Sequence, residues 1–201
     1  TQVFDVEAEP AGRAALVPLQ DVTAPNPYLL DNVDEAFDAL RHQIGAASGW
    51  DALSGLENAF VPITTPSLPL IAEDWLLTGR AFAFNPLLAS AGWIVTVREE
   101  YAGQTYWRVY LKARYQDGSA GLPLFYTPWD TNARYSGNPA WYDQGGKPNT
   151  TPGGYWVDLT ELALRFDWER LPSTANWQTY YPGLRFNQFV MREGLEWQSA
   201  I

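Results

Sequence analysis

Between Tyr106 and Tyr115 the chain alternates without a break. Trp107, Val109, Leu111 and Ala113 fall on one side of an extended backbone, and Arg108, Tyr110, Lys112 and Arg114 fall on the other. Successive side chains of a strand point to opposite faces, so this stretch is expected to bury one face and wet the other. A half-buried strand needs a neighbour. Trp93 to Tyr101 supplies one, joined through the turn Ala102-Gly103-Gln104-Thr105. Gln116-Asp117-Gly118-Ser119 reads as a second turn, Leu122 to Tyr126 as a third strand, and Tyr155-Trp156-Val157 as a return to the same sheet.

Helical signals flank this meander. Val33, Phe37, Leu40 and Ile44 line one face of a helix over 31–45, with Asp31 or Asn32 as its cap, Asp34 and Glu35 at its positive end, and Gly45 as its stop. A second short helix is expected from Trp50 to Asn58, before Pro62, Pro66 and Pro69. Asp158 with Glu161 forms a capping-box pattern ahead of Leu159, Leu162, Ala163 and Phe166. Leu184 to Arg192 reads as another short helix, after the turn Tyr181-Pro182-Gly183. The order implies an α+β fold: one domain over 28–201, with a central antiparallel sheet, short flanking helices and a long aromatic-rich loop. Residues 1–27, with Pro10, Pro18, Pro25 and Pro27, read as an extended arm that Val3, Phe4, Val6, Leu16, Val17 and Leu19 dock along the body. A start at Thr1 and an end inside a helix-like segment suggest a piece of a longer protein.

Charge narrows the function classes. The net charge of -10 disfavours nucleic acid, whose phosphates call for a Lys/Arg surplus. Ten acids against two Arg lie in residues 1–60, and thirteen acids against eleven bases lie in the rest, so the N-terminal part reads as an acidic, solvated face or as an acidic patch for cations or a basic partner. No apolar run approaches the ~20 residues of a membrane span, so membrane insertion is not expected. Lys occurs twice against eleven Arg, a bias that fits a GC-rich bacterial gene.

Catalytic chemistry finds few residues to work with. There is no Cys, and His42 is the only histidine, so His-pair, His-triad and Cys metal sites have no ligands within the chain. No Gly-x-Ser-x-Gly elbow accompanies His42, and neither a GxGxxG nor a phosphate-loop Lys is present. Glu99 and Glu100 are neighbours on a strand and point apart. Asp130 and Asp143 remain as a carboxylate pair for a hydrolase. Asp130-Thr131-Asn132 has alternating oxygen donors but lacks the rest of a calcium loop. No cofactor is expected.

One segment carries a family resemblance. In Glu73 to Phe84, EDWLLTGRAFAF, the residues Gly79, Arg80, Ala81 and Phe82 resemble part of the His-x-x-Gly-x-Ala-x-Asp signature of zinc D-alanyl-D-alanine carboxypeptidases, peptidases with a Hedgehog-like fold. In that family the His and Asp bind zinc. Here those positions are Leu76 and Ala83, and no His follows residue 42. The resemblance therefore implies an α+β domain without metal or hydrolytic activity, left to hold a cell-wall peptide or glycan or to act as scaffold.

The stretch Leu124 to Trp156 holds the candidate site. Trp129, Asp130, Arg134, Tyr135, Trp141 and Tyr142, with Asn132 and Asp143, mix flat aromatics with carboxylate, amide and guanidinium groups. That mixture suits a sugar ring, whose apolar C–H face stacks on an aromatic, and it equally suits a protein interface. It also suits a loop of this length pinned by its own aromatics. Asn149-Thr150-Thr151 is an N-glycosylation sequon. The expectation is a non-catalytic, secreted or surface-attached interaction or scaffold domain, with a protein partner or self-association first. A module for cell-wall glycan or peptidoglycan fragments comes second, and a carboxylate-dependent hydrolase third.

Overall fold

The computed structural model describes residues 15–62 and 73–200. The expected docking of Val3, Phe4 and Val6, and the breakers Pro66 and Pro69, lie outside them. The fold is α+β, and its strands form two four-stranded antiparallel sheets and two two-stranded ribbons. The first sheet has the order β5 (Ile94–Tyr101), β6 (Gln104–Lys112), β10 (Tyr155–Asp158), β7 (Leu122–Pro123). The second runs β11 (Glu169–Arg170), β12 (Gln188–Val190), β4 (Ala81–Phe84), β3 (Leu56–Asn58). One ribbon joins β1 (Leu16–Pro18) to β2 (Tyr28–Leu30), and the other joins β8 (Trp129–Asp130) to β9 (Lys147–Pro148).

The alternation at 106–112 produces the expected hairpin. β5 and β6 pair from Ile94↔Leu111 to Tyr101↔Gln104, and the connection is only Ala102-Gly103. Both turn residues have positive φ, 50° and 77°, the twist that a two-residue hairpin needs. Ile94, Trp107, Val109 and Leu111 face the main core. The other face is not simply wet. Val97, Tyr110, Leu124 and Trp156 form a second buried cluster there, because the chain after β7 folds back over the sheet.

Helix α1 (Asp34–Ser48) lays Phe37, Leu40 and Ile44 into the core, as its spacing predicts. Its ends differ from the expectation. Val33, fully buried, takes the N-cap without a side-chain hydrogen bond, so neither Asp31 nor Asn32 caps the helix. Gly45 stays helical, and the chain turns at Gly49, whose φ of 80° lets its N–H reach the Gly45 carbonyl. The expected helix over 50–58 does not form. Asp51 accepts from Leu53 N and pairs with Arg41 at 2.7 Å, which favours turns, and Leu56 then enters β3.

The centre of the core is aromatic. Phe82 sits 5.1 Å from Phe37 and 4.9 Å from Trp168, both edge-on, and stacks on Phe189 at 5.5 Å. Each such pair adds roughly 0.5–1.5 kcal/mol beyond area burial. Phe189 belongs to β12, so Leu184 to Arg192 is not a helix. A 3-10 turn over Tyr181–Leu184 ends at Arg185, whose φ of 55° stops helical propagation before the strand. The N-cap expected at Asp158 is present: its side chain accepts from Glu161 N at 2.9 Å and opens α4 (Leu159–Leu164). The remaining helices are short: α2 (Leu87–Ser90), α3 (Pro139–Asp143) and α5 (Trp197–Ala200).

Candidate functional site

The aromatic loop folds onto itself and onto the core-facing side of the first sheet. Trp129 pairs with Pro148, and Asp130 with Lys147, in the β8–β9 ribbon. Asp130 Oδ1 accepts from Asn132 N at 3.0 Å and Ala133 N at 3.2 Å, capping a 3-10 turn over Thr131–Tyr135. That turn carries Arg134 inward, where it is only 3% exposed. Its guanidinium donates to the carbonyls of Thr131, Trp177 and Gly145 and lies over the Tyr181 ring. Burial lowers the Arg134 pKa below the usual arginine value, with Tyr135 and Tyr181 pulling the other way.

The other candidates separate into two kinds. Trp129 is half-buried, and the Arg98 guanidinium lies 5.2 Å from its ring centroid and 5.0 Å from that of Trp177. Trp141 is half-buried with Lys147 Nζ 4.2 Å from its ring. Tyr135 and Tyr142 are exposed, at 66% and 47%. Asp130 borders a cleft between the ribbon and β5, whose walls do not include Asp143. Leu76 and Ala83, at the positions where the resembled peptidases bind zinc, are buried with Trp75, Ala81, Leu171 and Val190. Among the described residues, no group of three or more His, Cys, Asp or Glu is placed to hold a metal.

The opposite face of the first sheet presents a patch of exposed apolar side chains. Gly121 makes it possible: its φ is 72°, and a Cβ there would stand 2.7 Å from the Trp156 carbonyl oxygen. Only glycine lets β7 approach β10 this closely. Beyond β7, Leu124 is buried against the sheet and Tyr126 stacks on Tyr110 at 5.9 Å and 25°. Between them the chain turns outward. Leu122, Phe125 and Tyr126 are 72%, 83% and 55% exposed. Together with Tyr110, Leu124 and Trp156 they line a trough of about 280 Å³.

Asp158 is the charged residue in the lining of this trough among the described residues, and an ion-pair network runs from it. Arg108 Nε donates to Asp158 Oδ2 at 2.7 Å, and the Arg108 guanidinium lies 3.6 Å from both Glu99 and Glu161. Arg170 reaches Glu99 at 2.6 Å. Burial, followed by the Asp158 charge, pushes the Tyr110 hydroxyl up to about 12 against the pull of Arg108. Sequence reasoning passed over Leu122, Phe125 and Tyr126 as site residues. The available signal was LPLFYTP, in which Pro123 and Pro128 limit strand pairing; the strand expected over Leu122 to Tyr126 forms only at Leu122–Pro123.

Comparison with protein-family models, with curated proteins and with solved structures returned no match to this chain.

Proposed function

We propose that this chain is a non-catalytic interaction module that takes an extended, proline-containing segment of a partner protein along its outer sheet face. The observation that carries the reading is Phe125, 83% exposed and flanked by Leu122 and Tyr126 on a sheet-backed trough. Exposed apolar surface of this kind gains free energy when a partner covers it. The occupant follows from the edge beside it. β7 is the edge strand, two residues long, and its Pro123 has no N–H to donate. Strand addition through backbone pairing is therefore weak, and recognition falls to the aromatic side chains. Polyproline segments carry no internal hydrogen bonds and dock against aromatic-lined grooves. A net charge of -10 favours a partner with basic flanks.

The test is fluorescence polarisation with labelled proline-rich peptides carrying Arg at either end, against scrambled and proline-free controls. Saturable binding that falls tenfold or more in Phe125→Ala, with unchanged circular dichroism, supports the reading, since truncating a central aromatic anchor typically costs at least ~1–2 kcal/mol. Absence of binding throughout the set sinks it. Concentration-dependent sedimentation of the unaltered protein, abolished by Phe125→Ala, would replace the peptide by a second copy of this chain.

A glycan-binding reading draws on a different place, the polar cleft beside Trp129. A hydrolase has less to stand on, because Asp130 Oδ1 is occupied by two backbone N–H groups and Asp143 is not among the residues around its cleft.

A further inference from the structure

The cleft between the β8–β9 ribbon and strand β5 encloses about 220 Å³. Its apolar walls include Trp107, which is fully buried, and the half-buried Trp129. Six polar side chains line it: Ser90, Thr96, Asp130, Thr131, Asn132 and Asn149. Their bonding is incomplete. Asp130 uses Oδ1 to cap the following turn, and Asn149 uses Oδ1 to accept from Thr150 N. Asp130 Oδ2, Asn149 Nδ2, the Asn132 amide and the Thr96 hydroxyl have no protein partner among the described residues. The site thus offers one acceptor-only group, two amide functions and three hydroxyls beside the half-buried Trp129 indole.

That inventory selects a ligand class. Among the described residues no Lys or Arg lines the cleft, and Asp130 disfavours a phosphate, sulfate or carboxylate. A single carboxylate does not build a calcium site, which takes six to eight oxygen ligands, several of them charged. What matches is a neutral molecule with several adjacent hydroxyls, each able to donate and accept, and with an apolar face. The volume is below the ~300 Å³ of a drug-sized pocket, so it fits one ring at a time.

We infer that this cleft is a saccharide subsite holding one neutral sugar ring, with Asp130 Oδ2 accepting from a hydroxyl and the amides of Asn132 and Asn149 bonding its neighbours. It lies on the face of the sheet that carries Ile94, Thr96 and Trp107, opposite the face that carries Tyr110 and Trp156, and shares no lining residue with the peptide trough. The two sites succeed or fail independently.

The experiment titrates the whole protein with the methyl glycosides of glucose, galactose, mannose and N-acetylglucosamine, followed by saturation-transfer NMR and tryptophan fluorescence. At least one glycoside is expected to saturate in the millimolar range, as a single shallow ring site allows. Asp130→Asn keeps an oxygen for the turn cap and replaces only the free acceptor by a donor, so it should fold normally and bind at least tenfold more weakly. Asn132→Ala, at an exposed position, should weaken binding several-fold with the near-ultraviolet spectrum unchanged. The inference is overturned if none of the four glycosides saturates, or if both folded variants titrate like the unaltered protein.

Discussion

Arg134 donates Nη2 to the carbonyl oxygen of Gly145 at 2.8 Å, tying the turn over Thr131–Tyr135 to the segment that leads into β9. A second donation, from Nη1 to Trp177, ties the same loop to the C-terminal part of the chain. Arg134→Met keeps comparable bulk but leaves buried carbonyls without their donor. It is expected to destabilise the protein by about 2–3 kcal/mol, read as a lower urea midpoint at unchanged slope. A loss under about 0.5 kcal/mol would show that these bonds are replaced by water.

Asp158 does two jobs with two oxygens: Oδ1 caps α4, and Oδ2 pairs with Arg108. The two substitutions Asp158→Asn and Asp158→Ala separate these jobs. Asn retains a capping oxygen and loses the ion pair, with an expected cost of about 1 kcal/mol. Ala loses both, at about 2 kcal/mol, and should also shorten α4 as seen by amide exchange at Glu161 and Leu162. Equal effects of the two would mean that the cap contributes nothing.

Burial raises the Tyr110 hydroxyl to about 12, and it also raises that of Tyr181. The folded state keeps the Tyr110 proton above the ordinary tyrosine value of about 10, where the unfolded chain releases it. Unfolding then gives up a proton, so stability from this group is full below about pH 10 and is lost as pH rises towards about 12. Urea midpoints should fall between about pH 9 and about pH 11.5 in the unaltered protein, and less steeply in Tyr110→Phe. Parallel slopes would count against the buried phenol.

Gly146 has φ 135°, and a Cβ on it would stand 2.4 Å from the Asp130 carbonyl oxygen. Neither fault can be relieved by moving a side chain. Gly146→Ala is expected to open the β8–β9 ribbon, costing more than about 1 kcal/mol. Fluorescence of Trp129 should shift towards that of a solvated indole, and a spectrum identical to the unaltered protein would contradict this.

Strong local periodicity was readable in the sequence, and tertiary override was not. Trp107, Val109 and Leu111 announce β6 because a half-buried strand must alternate. Asp158 and Glu161 announce α4 because the cap is a local bond. Phe189, Val190 and Met191 gave no such signal. β12 is enclosed between two strands and buried in consecutive residues, and a continuous apolar run does not distinguish strand from helix. The candidate site shows the same division. Arg134 has the residue type of a binding group, but its occupation depends on Trp177, forty-three positions away, which no local pattern encodes. Leu122 and Phe125 look like core residues in composition, and only the turn at Gly121 sends them outward.

The position of β12 has a consequence for how the protein is made. Phe82 and Phe84 of β4 leave the ribosome long before Gln188–Val190, the strand that flanks them on one side. At about 5–20 residues per second, the wait is roughly 5–20 s. During that interval the β12-facing edge of β4 is open, and Phe82 has Phe37 beside it but lacks Trp168 and Phe189. The nascent chain is then a natural client for a holding chaperone, and slowing translation between residues 84 and 188 should lower its soluble yield.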